Sequence, residues 1–188
     1  MYLPRMIELV GKKELGEQLQ RFFREELYNQ GNEPDIHVPF LFGRLGMPQE
    51  TSGIVRTLAT ESITHRYGGN DAYPTPFVGC AFVNQPRGYC FEMDEDDGAM
   101  SAWYVFASIG MYPLVVGEAV YELFPPLFDK VTLHLGADQK TTVTICKDGR
   151  GKKEDGRVKR VTWNGKTLSN FQISVKELKK GGTLTFIY

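Results

Sequence analysis

Between residues 14 and 28 the apolar positions Leu15, Leu19, Phe22, Phe23 and Leu27 recur at intervals of three and four, with charged residues between them. That period predicts an amphipathic helix. A second helical segment is predicted over residues 35–44, where Pro34 suits a first turn and Gly46 lies just beyond the end; Pro39 inside it would kink or shorten it. Pro48 opens a third, with Ile54, Val55, Leu58, Ala59 and Ile63 on one face. Periodicity is then lost from residue 67 to residue 93 among glycines, prolines and aromatics. A structureless stretch of that length inside a compact domain is usually a functional loop. A fourth helix is predicted over residues 98–109, where Met100, Trp103, Tyr104, Phe106 and Ala107 make it apolar nearly all round and therefore buried on most sides.

After Pro113 the period changes from helical to alternating. Residues 131–135, 142–145, 158–163 and 183–188 alternate or are rich in β-branched side chains, and Gly-containing turns separate them. Asn164-Gly165 is a strong hairpin signal. The chain reads as α+β, a helical part over residues 1–112 followed by an antiparallel β module over residues 113–188. Its first helical pattern starts with no lead-in, and four helices close few all-α architectures around a ligand. The expectation is that the sequence is the end of something larger.

Composition narrows the function classes. The 188 residues are 41% hydrophobic and 24% charged, as in a soluble globular protein, and a net charge of -1 provides no global field for nucleic acid or an anionic membrane. No apolar run is long enough for a membrane span, and the first residues lack the form of a signal peptide. Cys80, Cys90 and Cys146 are an odd number with no metal-ligand spacing; a Cys80–Cys90 bridge is the minority reading, against the reduced state expected of cytosolic thiols.

Candidate chemistry concentrates in two places. In the run from Glu92 to Asp97, five carboxylates occupy six residues just before the apolar helix. Either this is a solvated cap that favours the helix dipole, or it is a site. A calcium loop of the EF-hand type fails, because Gly98 at position six puts Met93 at one and Tyr104 at twelve. In an extended loop Asp94 and Asp96 point the same way, and two convergent carboxylates can hold a cation or deprotonate water. The second cluster, residues 30–37, holds Asn32, Glu33, Asp35 and His37 between two helices; it suits a hard cation, or it is a capped turn. His37 could orient a sugar or water, or be a satisfied core residue. Tyr67, Tyr73, Phe77, Phe82, Tyr89 and Phe91 offer flat faces for a sugar ring or base, or serve as local anchors. His65 reads as a cation at a helix C-terminus.

With these clusters located, the chain resembles the C-terminal part of glycoside hydrolase family 92, the calcium-dependent exo-acting α-mannosidases. The residues carrying the resemblance are 31–42 (GNEPDIHVPFLF), 94–106 (DEDDGAMSAWYVF) and 110–113 (GMYP), with further matches at 126–131, 164–166 and 181–184. The resemblance implies that residues 1–112 are the closing helices of an (α/α)6 barrel and that the tail is β-sandwich-like. It makes Asp94 and Asp96 similar to the general-base pair of an inverting mechanism, Asp96 being the stronger candidate. It also places Asn32, Glu33 and Asp96 at a Ca2+ ion, and Glu33 with His37 at a mannose-containing glycan. The family's general acid, a glutamate, would precede Met1, so the resemblance implies a chain that is inactive alone and completed by a missing N-terminal part. Residues 69–91 are longer and more aromatic than the family pattern. The alternative is a calcium-dependent carbohydrate-binding or structural module without chemistry, using the same oxygens.

Overall fold

The computed structural model describes residues 3–31, 33–66, 76–149 and 157–188, and it divides into two compact units, Met1–Tyr104 and Val105–Tyr188. The first unit begins with α1 (Leu3–Val10) and α2 (Lys12–Arg24), separated at Gly11, whose φ of 89° leaves the helical region. The chain turns at Glu26, φ 54°, so α2 stops short of the predicted end and Leu27 is exposed. Leu15 and Leu19 instead pack with Phe42 and Leu45.

Pro39 shortens the second predicted helix to a single turn, one of the two outcomes expected of it. Residues 33–44 form two 3-10 turns, Glu33–Asp35 and Val38–Phe40, and a single α turn, α3 (Leu41–Arg44), since proline has no N–H to continue the ladder. The helix α4 (Pro48–Thr60) starts on its proline as expected, and Thr51 Oγ1 donates to the Pro39 carbonyl at 2.8 Å. Ile63, expected on that helical face, belongs to β1 (Ser62–His65), which pairs antiparallel with β2 (Phe77–Cys80). The stretch expected to be structureless therefore contains a strand. Phe82 and Tyr89 add an isolated bridge beyond it, while Tyr67 and Tyr73 lie outside the described residues.

The helix α5 (Ala99–Ile109) matches its predicted span, and the boundary between the units falls inside it. Its burial differs from expectation. Met100, Trp103 and Ala107 are buried, but Tyr104 is exposed and Val105 is 56% exposed, so apolar composition all round did not fix burial all round. Trp103 stacks on Phe82, centroids 5.6 Å apart and 3° from parallel.

The second unit contains β3 (Met111–Tyr112), β4 (Val120–Leu123), β5 (Lys130–Leu135), β6 (Thr141–Asp148), β7 (Arg160–Trp163), β8 (Lys166–Thr167), β9 (Gln172–Ser174), α6 (Val175–Leu178) and β10 (Gly182–Ile187). A three-stranded sheet runs β3-β4-β9 and a five-stranded sheet β5-β6-β10-β7-β8. Met111, Leu123 and Ile173 from the first share a core with Val143, Ile145, Val161, Leu184 and Phe186 from the second. Two sheets closing on one apolar layer is the sandwich arrangement. The pairing is antiparallel except between β6 and β10, which run parallel. The last strand enters the sheet centre antiparallel to β7, which sets its direction against β6. Asn164 and Gly165, with φ of 50° and 79°, join β7 to β8, the positive φ values of a type I′ hairpin turn.

Candidate active site

The acidic run lies on a turn that few residues can make. Asp96, Asp97 and Gly98 have φ of 47°, 55° and 90°; a left-handed conformation is sparsely populated for non-glycine residues and persists only where its surroundings hold it. Three hydrogen bonds from the start of α5 do so. Ala99 N–H donates to the Asp96 carbonyl at 3.0 Å, Met100 N–H to the Glu95 carbonyl at 3.3 Å, and Ser101 N–H to Glu95 Oε1 at 3.1 Å. Glu95 thus satisfies free donors of the helix start with both its main chain and its side chain.

The other predicted cluster meets this turn. Glu33 N–H donates to Asp96 Oδ2 at 3.0 Å, across 63 positions of sequence, and Asp94 N–H reaches the Gly31 carbonyl at 3.4 Å. Trp103 Nε1 donates to the Ile36 carbonyl at 2.8 Å from a buried position, pinning the same segment to α5. Asp94 and Asp96 are half-buried, and Glu33 and His37 are exposed. The exposed position of His37 removes the core reading of that residue. Asn32, expected as a metal ligand, lies outside the described residues. Among the described residues no group of three His, Cys, Asp or Glu side chains is gathered as a metal cage.

Further hydrogen bonds order the second cluster and the residues just before it. Tyr28 Oη donates to Gln30 Oε1 at 2.6 Å, and Asn29 N–H to Asp35 Oδ2 at 3.2 Å. Gln30 Nε2, Asn29 Oδ1 and Glu95 Oε2 are buried with no hydrogen-bond partner among the described residues. Buried polar atoms are normally satisfied by protein, water or an ion, and Gln30 and Glu95 belong to the two segments that meet here. The sequence places Gln30 and Glu95 inside the two clusters and Asn29 next to one, without a role for any of them.

His65 is not a helix-end cation. It is buried in β1, its Nε2 lies 3.1 Å from the Gly79 carbonyl, and its ring stacks on Phe77 with centroids 4.4 Å apart. Burial depresses its pKa, partly opposed by the Gly79 carbonyl and the charge of Glu92. Cys80 and Cys90 are both free thiols, and burial raises the pKa of Cys90, with Glu92 adding to the effect. A groove of about 520 Å³ in the first unit, lined by Phe23, Glu26, Tyr28, Glu50, Thr57 and Val78 among others, shares no lining residue with the acidic turn.

Comparisons with known proteins bear on the family of the chain. An uncharacterized secreted glycosidase of Arthroderma benhamiae is 27% identical over 154 residues, covering 82% of this chain and 17% of that protein. The glycosyl hydrolase ccman5, of family GH92, superposes with a TM-score of 0.82 at 26% identity, over 96% of this chain and 26% of its own. The GH92 α-mannosidase BT3965 from Bacteroides thetaiotaomicron gives a TM-score of 0.71 at 25% identity, over 96% and 22%. The chain therefore spans between about a sixth and a quarter of the length of these proteins. The profile of the glycosyl hydrolase family 92 catalytic domain matches residues 3–71 and 77–188, both candidate clusters included, and the chain belongs to that family.

Proposed function

We propose that this chain carries part of the active site of an α-mannosidase that removes terminal α-linked, in particular α-1,2-linked, mannose from glycans with inversion. The observation that carries the reading is the contact of Glu33 N–H with Asp96 Oδ2, which joins the two clusters into one polar site. Inversion requires a base on one face of the sugar and an acid on the other, far enough apart to admit water. Asp94 and Asp96 supply the base, Asp96 accepting the proton of the attacking water. Its main-chain hydrogen bond fixes the carboxylate before substrate arrives, so positioning is not left to the transition state. Glu33 and His37, both exposed, hold the hydroxyls of the terminal sugar.

Asn32, Glu33 and Asp96 would hold calcium. The donors are all oxygen, which suits a hard cation, and the unpartnered Oε2 of Glu95, next in sequence to Asp96, fits a site built for one. When bound, the ion supplies positive charge to the vicinal hydroxyls and to a flattened, oxocarbenium-like ring. Residues 1–112 are assigned to the closing helices of an (α/α)6 barrel and residues 113–188 to its C-terminal sandwich-like module. The fungal relative described as secreted favours work outside the cell, and among the described residues no helix is long and apolar enough to cross a membrane.

No general acid is assigned within the chain. Glu8, Glu14, Glu17, Glu25 and Glu26 are exposed and engaged by Arg5, Gln18, Lys13, Arg21 and Arg66. The test is a calorimetric calcium titration, with and without mannose, on the folded wild type and on Asp96→Asn. Calcium binding that mannose strengthens and the substitution weakens is expected. A flat titration of the folded chain would remove the cation from these residues. Binding without turnover, unchanged after an N-terminal portion bearing an acid is restored, would favour the carbohydrate-binding module.

A further inference from the structure

From the same reading of the acidic turn, we infer that Arg87, Tyr89 and Phe91 form the site for the leaving-group sugar, an uncharged hexose next to the terminal mannose. The loop carrying them is closed on itself. Val83 N–H donates to the Gly88 carbonyl at 3.0 Å, Gly88 N–H to the Gln85 carbonyl at 2.9 Å, and Cys90 N–H to the carbonyl of buried Ala81 at 2.9 Å. Tyr89 bridges Phe82, whose ring stacks on buried Trp103. The loop is thereby tied to the helix that follows the acidic turn.

The guanidinium of Arg87 lies 4.6 Å from the Tyr89 ring centroid and 5.2 Å from that of Phe91, and its Nη2 donates to the carbonyl of buried Met93 at 2.9 Å. One side chain therefore links both rings to the residue immediately before Asp94. Phe91 is nonetheless 56% exposed. An aromatic ring held in place yet open to solvent suits the C–H face of a sugar. A guanidinium has five donors, and the bond to Met93 uses one, which leaves hydroxyl-binding capacity beside the rings. The ligand is neutral by charge balance, because Glu92, Asp94, Glu95, Asp96 and Asp97 follow directly and would repel an anion.

Chain length permits this placement: Met93, whose carbonyl Arg87 holds, and Asp96 are three residues apart, at most roughly 10 Å of chain. The terminal mannose sits at the turn, and its neighbour rests on the platform. Stacking there contributes to binding in substrate and transition state only when a leaving-group sugar is present.

The test compares kcat/KM of wild type, Phe91→Ala and Arg87→Lys in the longer enzyme that carries this chain. The substrates are α-linked mannobioses and α-mannosyl fluoride, which has no sugar on the leaving side. Phe91→Ala is expected to lose about 10- to 100-fold on its preferred mannobiose and less than about 3-fold on the fluoride, a stacking-sized effect. Arg87→Lys keeps the charge but loses the planar fork, and its loss falls between. Equal losses on both substrates would overturn the site and make the rings mere supports of the turn, as would no loss on either. If wild type cleaves neither substrate, the mannosidase reading fails separately, and saturation-transfer NMR with the mannobioses decides the platform. Saturation of reducing-end protons that Phe91→Ala abolishes supports it; equal saturation in both proteins, or none, overturns it.

Discussion

His65 shows how one buried group couples the fold to pH. Its ring is 1% exposed, stacked on Phe77 and bonded to the Gly79 carbonyl, and burial holds its pKa below the ordinary value. Above the unfolded pKa, near 6.5, both states are neutral and the full stability is present. As pH falls through about 6.5, the unfolded chain takes up a proton that the folded chain refuses. Stability is then lost until the lower folded pKa is reached. The expected slope is up to about 1.4 kcal/mol per pH unit in that window. Urea unfolding at pH values on either side of 6.5 should show a steeper loss for wild type than for His65→Gln; parallel slopes would mean that His65 titrates alike in both states. The residue's own type gives no hint of this role, because burial follows from its register opposite Phe77 on β2. Asp94 and Asp96 draw notice for the opposite reason: carboxylates this dense beside an apolar helix stand out without tertiary structure. The buried oxygen of Glu95 and the amide of Gln30 do not, since an unpartnered buried oxygen or amide appears only once the chain has closed around it.

Element boundaries rest on glycines at two kinds of position. Gly110 ends α5 with φ 83°, and a Cβ there would lie 2.5 Å from the Phe124 carbonyl oxygen and 2.8 Å from Pro126 N. Gly117 has φ 90° with nothing near a would-be Cβ. Gly117→Ala should therefore cost only the left-handed preference, about 1 kcal/mol, while Gly110→Ala adds a backbone clash and should cost about 2–5 kcal/mol. Denaturant midpoints at unchanged m-value check this, and equal losses for the two variants would show that the chain relaxes freely around residue 110. The long periodic segments are legible from residue order alone: α2, α4 and α5 from their spacing or apolar density, and β5, β6, β7 and β10 from alternation and β-branched content. Short strands with no hairpin signal beside them, unlike β7 before Asn164-Gly165, are not. β1, β3, β4 and β9 contain two to four residues each, too few for a period to register, and their pairing partners decide them. Pro39 signals a kinked or shortened helix by its type, and the structure leaves 3-10 turns and a single α turn there, with the Pro39 carbonyl taken by Thr51.

At the scale of the molecule, two apolar cores found among the described residues, one in each unit, bear on what the chain can do alone. One gathers Leu15, Leu19, Phe42 and Leu45, and the other is the layer between the two sheets, so each unit has an apolar centre of its own. The base side of the proposed reaction lies within the first unit, where the Gly31–Glu33 and Asp94–Asp96 segments meet. Its acid side has no assigned residue, and the candidate glutamates on α2 and its C-terminal turn are engaged at the surface. A positioned acid contributes about 10²- to 10⁴-fold. The 188-residue chain should therefore fold by circular dichroism, bind calcium with mannose, and show no appreciable mannoside turnover. Adding an N-terminal portion that bears a glutamate should raise the rate by that factor, and Asp96→Asn should abolish the gain. Efficient hydrolysis by the chain alone would overturn the argument, because it would place the general acid among the chain's own residues.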